Sequence, residues 1–348
     1  MPREIDVDRS PVIKGLRWTG GTRPYPELRI KGDTFPITWA DDNNCYTSSG
    51  DPLWAGNPYH FPTWQERSGF DVEMFHGAAH EFIVYKVNDM TCYEGWGGRG
   101  AKPSGIISVG GVLYLAIQNT QGAKPPAHGK ICQHGSDATI LKSTDKGLTW
   151  SPDPVAPPMF PGHLFGGPAF VQFGKDNNGA PDKYVYAVSG DQWDNGSELR
   201  VGRVPADCIQ NPDAWEFVAS IGPDNEAAWT PEIEQSAVAF RDERHLGLPE
   251  MVCLPGIDRF LLLTWSLFED FTPAGSELAI YDAPKPWGPF TLVHHEPVWE
   301  SHEACPYCPR LPLAWYDPEI QSGYLLFSGH WKTNTYYRAN VRPFRLLT

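Results

Sequence analysis

Ser48-Ser49-Gly50-Asp51 closes a short apolar run and opens a polar loop, and the same ending returns as Ser189-Gly190-Asp191 and Ser328-Gly329-His330. A strand ending that recurs down a chain marks repeated structural units, and loops that leave equivalent positions gather on one face. Runs that read as second strands end near residues 51, 119, 191, 266 and 330, so successive ends lie 64 to 75 residues apart. Around them the strand signals fall into sets of four. The first is 35–40, 45–49, a long insertion over 52–80, then a strand at 81–87. The second is 104–109, 112–118, 138–143 and a strand near Trp150. The third is 167–173, 183–189, 198–204 and 214–218, and the fourth is 249–254, 259–266, 276–282 and 288–293. The last set is 309–315, 323–328, 334–341 and 344–347. Four antiparallel strands repeated radially protect their own edges and enclose a channel, which predicts an all-β, five-bladed β-propeller in one domain. The approximate blades are 33–96, 103–152, 165–219, 248–293 and 308–348. A pair of β-sandwiches, or another blade number, is the alternative arrangement.

Composition agrees with many short strands: 34 Gly, 34 Pro and 41% apolar residues in 348, with no long helical periodicity. A net charge of −14 without a basic stripe argues against nucleic acid as a partner. No run of apolar residues is long enough to predict a membrane span, and the polar start Met1-Pro2-Arg3-Glu4 is no signal core. The chain therefore reads as soluble, either cytoplasmic or secreted with its signal removed. Seven scattered cysteines suggest buried thiols rather than a disulfide framework. Cys305-Pro306-Tyr307-Cys308 has redox or zinc spacing, but it lacks a second such pair and is read as structural.

In a propeller the first strand of each blade lines the channel. Loops from second to third strands, and links between blades, share one face. Sorted by that rule, Asp33, Asp51, Asp191, Glu303 and His163 are the candidate catalytic groups. Candidate substrate contacts are Trp96, Arg99, Trp193, Trp229, Trp265, His302, Tyr307, His330 and Trp331. Tryptophan faces stack on sugar rings, and paired carboxylates supply an acid with a base or nucleophile for a glycosidic bond. Asp33 and Asp51 form the sharpest pair, since antiparallel geometry brings both to one end of a hairpin. Glu303 or Asp191 would be the acid. A carboxylate separation of about 5–5.5 Å would predict retention of configuration, and about 6.5–9.5 Å inversion.

Several short motifs carry resemblances. Ser143-Thr144-Asp145-Lys146-Gly147-Leu148-Thr149-Trp150 resembles the Asp-box turn of sialidase-like propellers, where the Asp is structural. Gly32-Asp33-Thr34, the hairpin ending Ser49-Gly50-Asp51, Phe165-Gly166-Gly167-Pro168 and Pro286-Trp287-Gly288-Pro289 together resemble a family of five-bladed propeller glycoside hydrolases. That family was formerly catalogued as a domain of unknown function, and its studied members include bacterial endo-D-arabinanases. The resemblance implies a glycosidase of furanosidic, arabinan-like specificity, with acidic groups in the catalytic centre at Asp33 and Asp51. The chain departs from the pattern in the 52–80 insertion, in His330 where a third Asp would stand, and in Cys305 and Cys308 near the mouth. Two other functions fit the same rim. One is a polysaccharide lyase, with His163 or His76 as base and Arg99 or Lys102 neutralising a uronate. The other is a non-catalytic sugar-binding propeller. No cofactor is expected, although carbonyls and carboxylates of the channel would suit a structural Ca²⁺.

Overall fold

The structure, a computed structural model, describes residues 4–24, 31–53, 69–88, 90, 101–120, 135–152, 157–333 and 335–348. Among the described residues the regular elements are strands and four short 3-10 turns. Five antiparallel sheets surround a channel and form a five-bladed β-propeller. The first blade contains β3 (Lys31–Trp39), β4 (Cys45–Leu53), β5 (Phe70–His76) and β6 (Ile83–Asn88). The second contains β7 (Lys102–Val109), β8 (Val112–Gln118) and β9 (Thr139–Ser143). The third runs β10 (Ala169–Phe170), β11 (Tyr184–Gly190), β12 (Glu198–Pro205), β13 (Glu216–Ile221) and β14 (Ala227–Thr230), with β15 (Phe240–Arg241) also on β12. The fourth is β16 (Glu250–Leu254), β17 (Arg259–Glu269), β18 (Thr272–Ala283) and β19 (Thr291–Glu296). The innermost strands touch in sequence around the ring: β3 with β7, β7 with β10, β10 with β16. From β16 the ring continues to β20 (Tyr307–Arg310), which returns to β3.

The last blade departs from the sequence expectation. Its order is β20, β21 (Ser322–Ser328), β22 (Asn340–Leu347) and then β1 (Gly15–Trp18), so the outermost strand comes from the N-terminus. One strand stands where two were expected over 334–347, and Gly15 to Trp18 pair antiparallel with Leu347 to Phe344. Likewise the supposed insertion at 52–80 contains β5, a full third strand paired from Cys45↔Phe75 to Gly50↔Phe70.

Each sheet is apolar on both faces because it lies between two neighbours. In β17, Leu261, Leu263 and Trp265 pack towards the fifth blade, whereas Phe260 and Leu262 pack towards the third. This is the period-two alternation of a strand with both faces covered. Every blade boundary has its own buried cluster: Phe35, Phe75, Trp315 and Leu326 join blades five and one, and Val72, Ile106 and Leu115 join one and two. Ile107, Phe165 and Trp215 join two and three. A pair of sandwiches would leave faces of these sheets bare, which rules out that alternative.

Leu16 in β1 is 7% exposed and packs into the cluster between blades four and five. Leu16→Ala is expected to lower unfolding free energy by about 2–3 kcal/mol, as for other buried leucines, in urea denaturation followed by tryptophan fluorescence.

Candidate active site at the channel mouth

The inner strands all begin at the same end of the channel, and their first residues build its mouth. Asp33 leaves β3 there, Lys102 begins β7, Glu250 begins β16 and Tyr307 begins β20. Asp51 arrives beside Asp33 from β4, as the hairpin argument expects, with Asp33 paired to Gly50. The backbone is irregular at this point. Thr34, Phe35 and Asp51 have φ of 60°, 38° and 44°, and the β3–β4 register slips between Thr34 and Ile37. Left-handed non-glycine residues of this kind are costly and persist where surrounding contacts over-determine them. Glycine at 50 is required by close approach, because a Cβ there would strike the Asp33 carboxylate. In the first blade the Ser49-Gly50-Asp51 ending thus makes room for an inner-strand side chain.

Asp33 is 8% exposed, and its Oδ2 accepts from the Tyr307 hydroxyl at 3.0 Å and faces that of Tyr337 at 3.4 Å. Burial, and then the negative charge of Asp33, push the Tyr307 phenol well above its ordinary pKa, so it remains a donor. Asp51 has a different role: its Oδ1 is ion-paired with the buried Lys102 ammonium. Beneath the motif, the Ser49 N–H and hydroxyl both donate to Glu73, a fully buried carboxyl on β5. Burial and the neighbouring Asp71 raise the Glu73 pKa well above the usual range.

Across the channel, Arg310 is wholly buried and ties the first blade to the fourth. Its Nε donates to the Thr34 carbonyl at 2.8 Å and its Nη1 to the Pro249 carbonyl at 2.9 Å. The adjacent Glu250 accepts from the Leu311 N–H at 2.6 Å and lies 3.8 Å from Arg310 Nε. Burial pushes Glu250 up to about 7, against the opposing pull of Arg310 and the Leu311 N–H. Glu250 thus exchanges its proton near neutrality. Arg310 Nη2, Thr34 Oγ1 and Trp265 Nε1 are buried polar atoms without a hydrogen-bond partner among the described residues.

Aromatic rings form one wall. Trp193 packs edge-on to Trp265 at 5.1 Å and to Tyr307 at 5.8 Å, and stacks on Phe271 at 5.4 Å. Trp331 meets Tyr307 at 5.5 Å. Of the expected contacts, Trp193, Trp265, Tyr307 and Trp331 therefore converge, with Trp331 the half-buried member nearest solvent.

Other expected residues lie apart from this cluster. Asp191 accepts from the backbone N–H of Ser197 and Glu198 at 2.9 and 3.2 Å, closing its own loop. His163, His302 and Glu303 are exposed on the rim. The ring of His302 contacts the Ala274 carbonyl at 2.9 Å. His330 is half-buried, and burial, with Lys332 second among the lowering influences, keeps its pKa below the usual histidine value. Trp96 and Arg99 fall outside the described residues.

Trp229 and His76 require correction. Trp229 lines a cavity of about 700 Å³ together with Asp182, Asp258 and Lys285, which belong to turns on the opposite face. Its β14 forms a hairpin with β13, which pairs with β12 at only two positions before swinging towards blade four, where Asn225 donates to Gly288 at 2.9 Å. His76 ends β5 on the same far face and meets Asn44 of the β3–β4 turn at 2.8 Å. The turn at Asp145 accepts from Ser143, the Thr149 N–H and the Thr149 hydroxyl at 2.6 to 2.9 Å, which holds its carboxyl below the usual range.

Sequence reasoning passed over Glu250 and Tyr337. Glu250 was accessible to the rule that found Asp33, since both head an inner strand. Tyr337 sits in an irregular stretch before β22 and carried no comparable signal.

No protein-family model matches the chain, and no curated protein matches its sequence. Solved structures do share the fold. A Bacteroides ovatus ATCC 8483 protein described provisionally as a hydrolase aligns with a TM-score of 0.58 and 11% identity, over 99% of this chain and 96% of its own. A GH43_1 enzyme from Xanthomonas citri, solved with xylotriose, gives 0.51 and 15% over 95% and 91%. The GH32 β-fructofuranosidase of Bombyx mori gives 0.53 and 12% over 93% of this chain and 63% of its own. At these identities the likeness is one of fold.

Because burial raises the folded-state pKa of Glu250, its contribution is fully present below the ordinary glutamate pKa and is lost as pH rises towards about 7. Wild type should lose on the order of 3 kcal/mol relative to Glu250→Gln between about pH 4.5 and 7. Urea midpoints across that range measure the difference, and parallel curves would contradict it.

Proposed function

We propose that the protein is a glycoside hydrolase acting on a glycan or glycoside, of furanosidic, arabinan-like type. The observation that carries this reading is the pair of carboxyl groups, Asp33 and Glu250, near the heads of inner strands of blades one and four, with Arg310 3.8 Å from Glu250 and bonded to the carbonyl of Thr34, the residue after Asp33. Their environments differ as an acid–base pair requires: phenol hydroxyls face one, while burial leaves the other protonated up to about pH 7. In this mechanism Asp33 acts at the anomeric centre, as nucleophile or as base for water, and Glu250 delivers a proton to the departing oxygen. Asp51 is a positioning residue held by Lys102, and Trp331, the half-buried ring of the aromatic wall, offers a surface to the sugar. Fold neighbours whose names are glycosidic enzymes support the same class.

Two parts of the lyase alternative are otherwise engaged: Lys102 is committed to Asp51, and His76 lies on the opposite face. His163 is exposed, and Arg99 falls outside the described residues.

Release of aryl alcohol from a panel of aryl furanosides and pyranosides, and of reducing ends from arabinan, tests the assignment. Asp33→Asn should lower kcat/KM by about 10³ or more on every accepted substrate. Glu250→Gln should be severe with alkyl leaving groups but milder with nitrophenyl ones, which depart with little help from a proton. With wild type, kcat/KM should fall as pH rises through about 7, and this limb should vanish in Glu250→Gln. Unchanged turnover in Asp33→Asn would overturn the mechanism. Glycan binding without turnover by wild type would leave a binding propeller instead.

A further inference from the structure

Away from the channel, the segment 241–248 leads from β15 into β16 and lies against the outer half of blade four. It carries His245, whose side chain is 2% exposed, to meet Glu277 of β18, which is wholly buried, and His295 of β19, which is 14% exposed. His245 Nε2, Glu277 Oε2 and His295 Nε2 all lie within 4.8 Å of one another. The separations from Glu277 Oε2 are 3.6 Å to His245 and 2.9 Å to His295. A tetrahedral ion with ligand bonds of about 2.0–2.1 Å needs ligand atoms about 3.3 Å apart, so the two distances bracket the requirement.

Two further observations point inward. Asp242 Oδ1 meets His245 Nδ1 at 2.9 Å, and the Tyr281 hydroxyl donates to the other oxygen of Asp242 at 2.5 Å. With Nδ1 held against Asp242, Nε2 is turned towards Glu277, and it is buried without a hydrogen-bond partner. A carboxylate behind a histidine is how proteins fix the tautomer and aim of a metal-ligating imidazole. The Thr264 hydroxyl donates to the His245 carbonyl at 3.0 Å, which anchors the backbone as well.

We propose that His245, Glu277 and His295 form a binding site for a divalent transition metal of the zinc class, with Asp242 and Tyr281 orienting His245. Two imidazoles and one carboxylate are a zinc donor set, and imidazole nitrogen disfavours calcium and magnesium. A dication would offset the two carboxylates, Asp242 and Glu277, that face His245. His295, 14% exposed, is the most accessible of the three groups. The bound ion would clasp the link between blades three and four to the two outer strands of blade four.

The test is metal content and cobalt spectroscopy of the full chain, independent of any glycosidase activity. After equilibrium dialysis at micromolar Zn²⁺, wild type should retain about one equivalent. His295→Ala and Glu277→Gln, each checked for native far-UV circular dichroism, should retain about a tenth or less. Asp242→Asn should bind about 10- to 100-fold more weakly. Co²⁺ should give wild type the intense visible bands of a four-coordinate site, and chelator should lower its Tm but not that of His295→Ala. If wild type retains no Zn²⁺, or retains as much in His295→Ala as in wild type, the cluster is an ion-pair network and the proposal fails. The wild-type dialysis decides even where a variant does not fold.

Discussion

Each sheet of this protein is apolar on both faces, and a closed ring satisfies all of them at once. Buried clusters at the blade boundaries follow from that demand, and so does the placement of the polar chemistry. With the flanks filled, one set of deeply buried polar side chains is gathered at the channel, where inner-strand heads meet. Asp33, Lys102, Glu250 and Arg310 are all nearly or wholly buried there. Burying charge is costly without partners: Tyr307 serves Asp33, Asp51 serves Lys102, the Leu311 N–H serves Glu250, and two backbone carbonyls accept from Arg310 Nε and Nη1. The mouth is therefore a network whose geometry is set by the closing of the ring rather than by any one loop.

The same constraint explains what could be read in the chain beforehand. Uninterrupted apolar runs such as Phe260-Leu261-Leu262-Leu263 and the recurrent Ser-Gly-Asp endings exposed the blade repeat and the Asp33/Asp51 hairpin. β5 was hidden because Asp71 and Glu73 look like loop residues. They are buried only because Ser49, Lys86 and the Met90 N–H receive their charge and lone pairs. β1 was hidden because four residues, Gly-Leu-Arg-Trp, make a strand only against a partner more than three hundred residues away.

Side-chain destinations were less legible than strands. Trp229 and Trp193 are equally plausible sugar platforms in sequence. Yet the β13–β14 hairpin carries one to the far face, under the guanidinium of Arg203 at 4.0 Å, and the other joins the mouth. Such swings depend on a strand pairing of only two residues, which no local pattern announces. Glu250 was missed for the opposite reason. Its neighbours Pro249 and Met251 read as an apolar strand start, and its significance comes only from Arg310, sixty residues later.

The pairing of β1 with β22 also bears on how the chain reaches its native state. Residues 15–18 are synthesised long before 340–347, so the fifth blade cannot be completed until β22 has followed all the other strands. Until then, blades one and four each present an apolar flank that only blade five covers. Closing so long a loop adds little entropy per extra residue, but it delays the final contacts behind everything between them. The nascent ring thus passes through an open, adhesive stage, and the speed of its last fastening sets how long neighbouring chains can interfere.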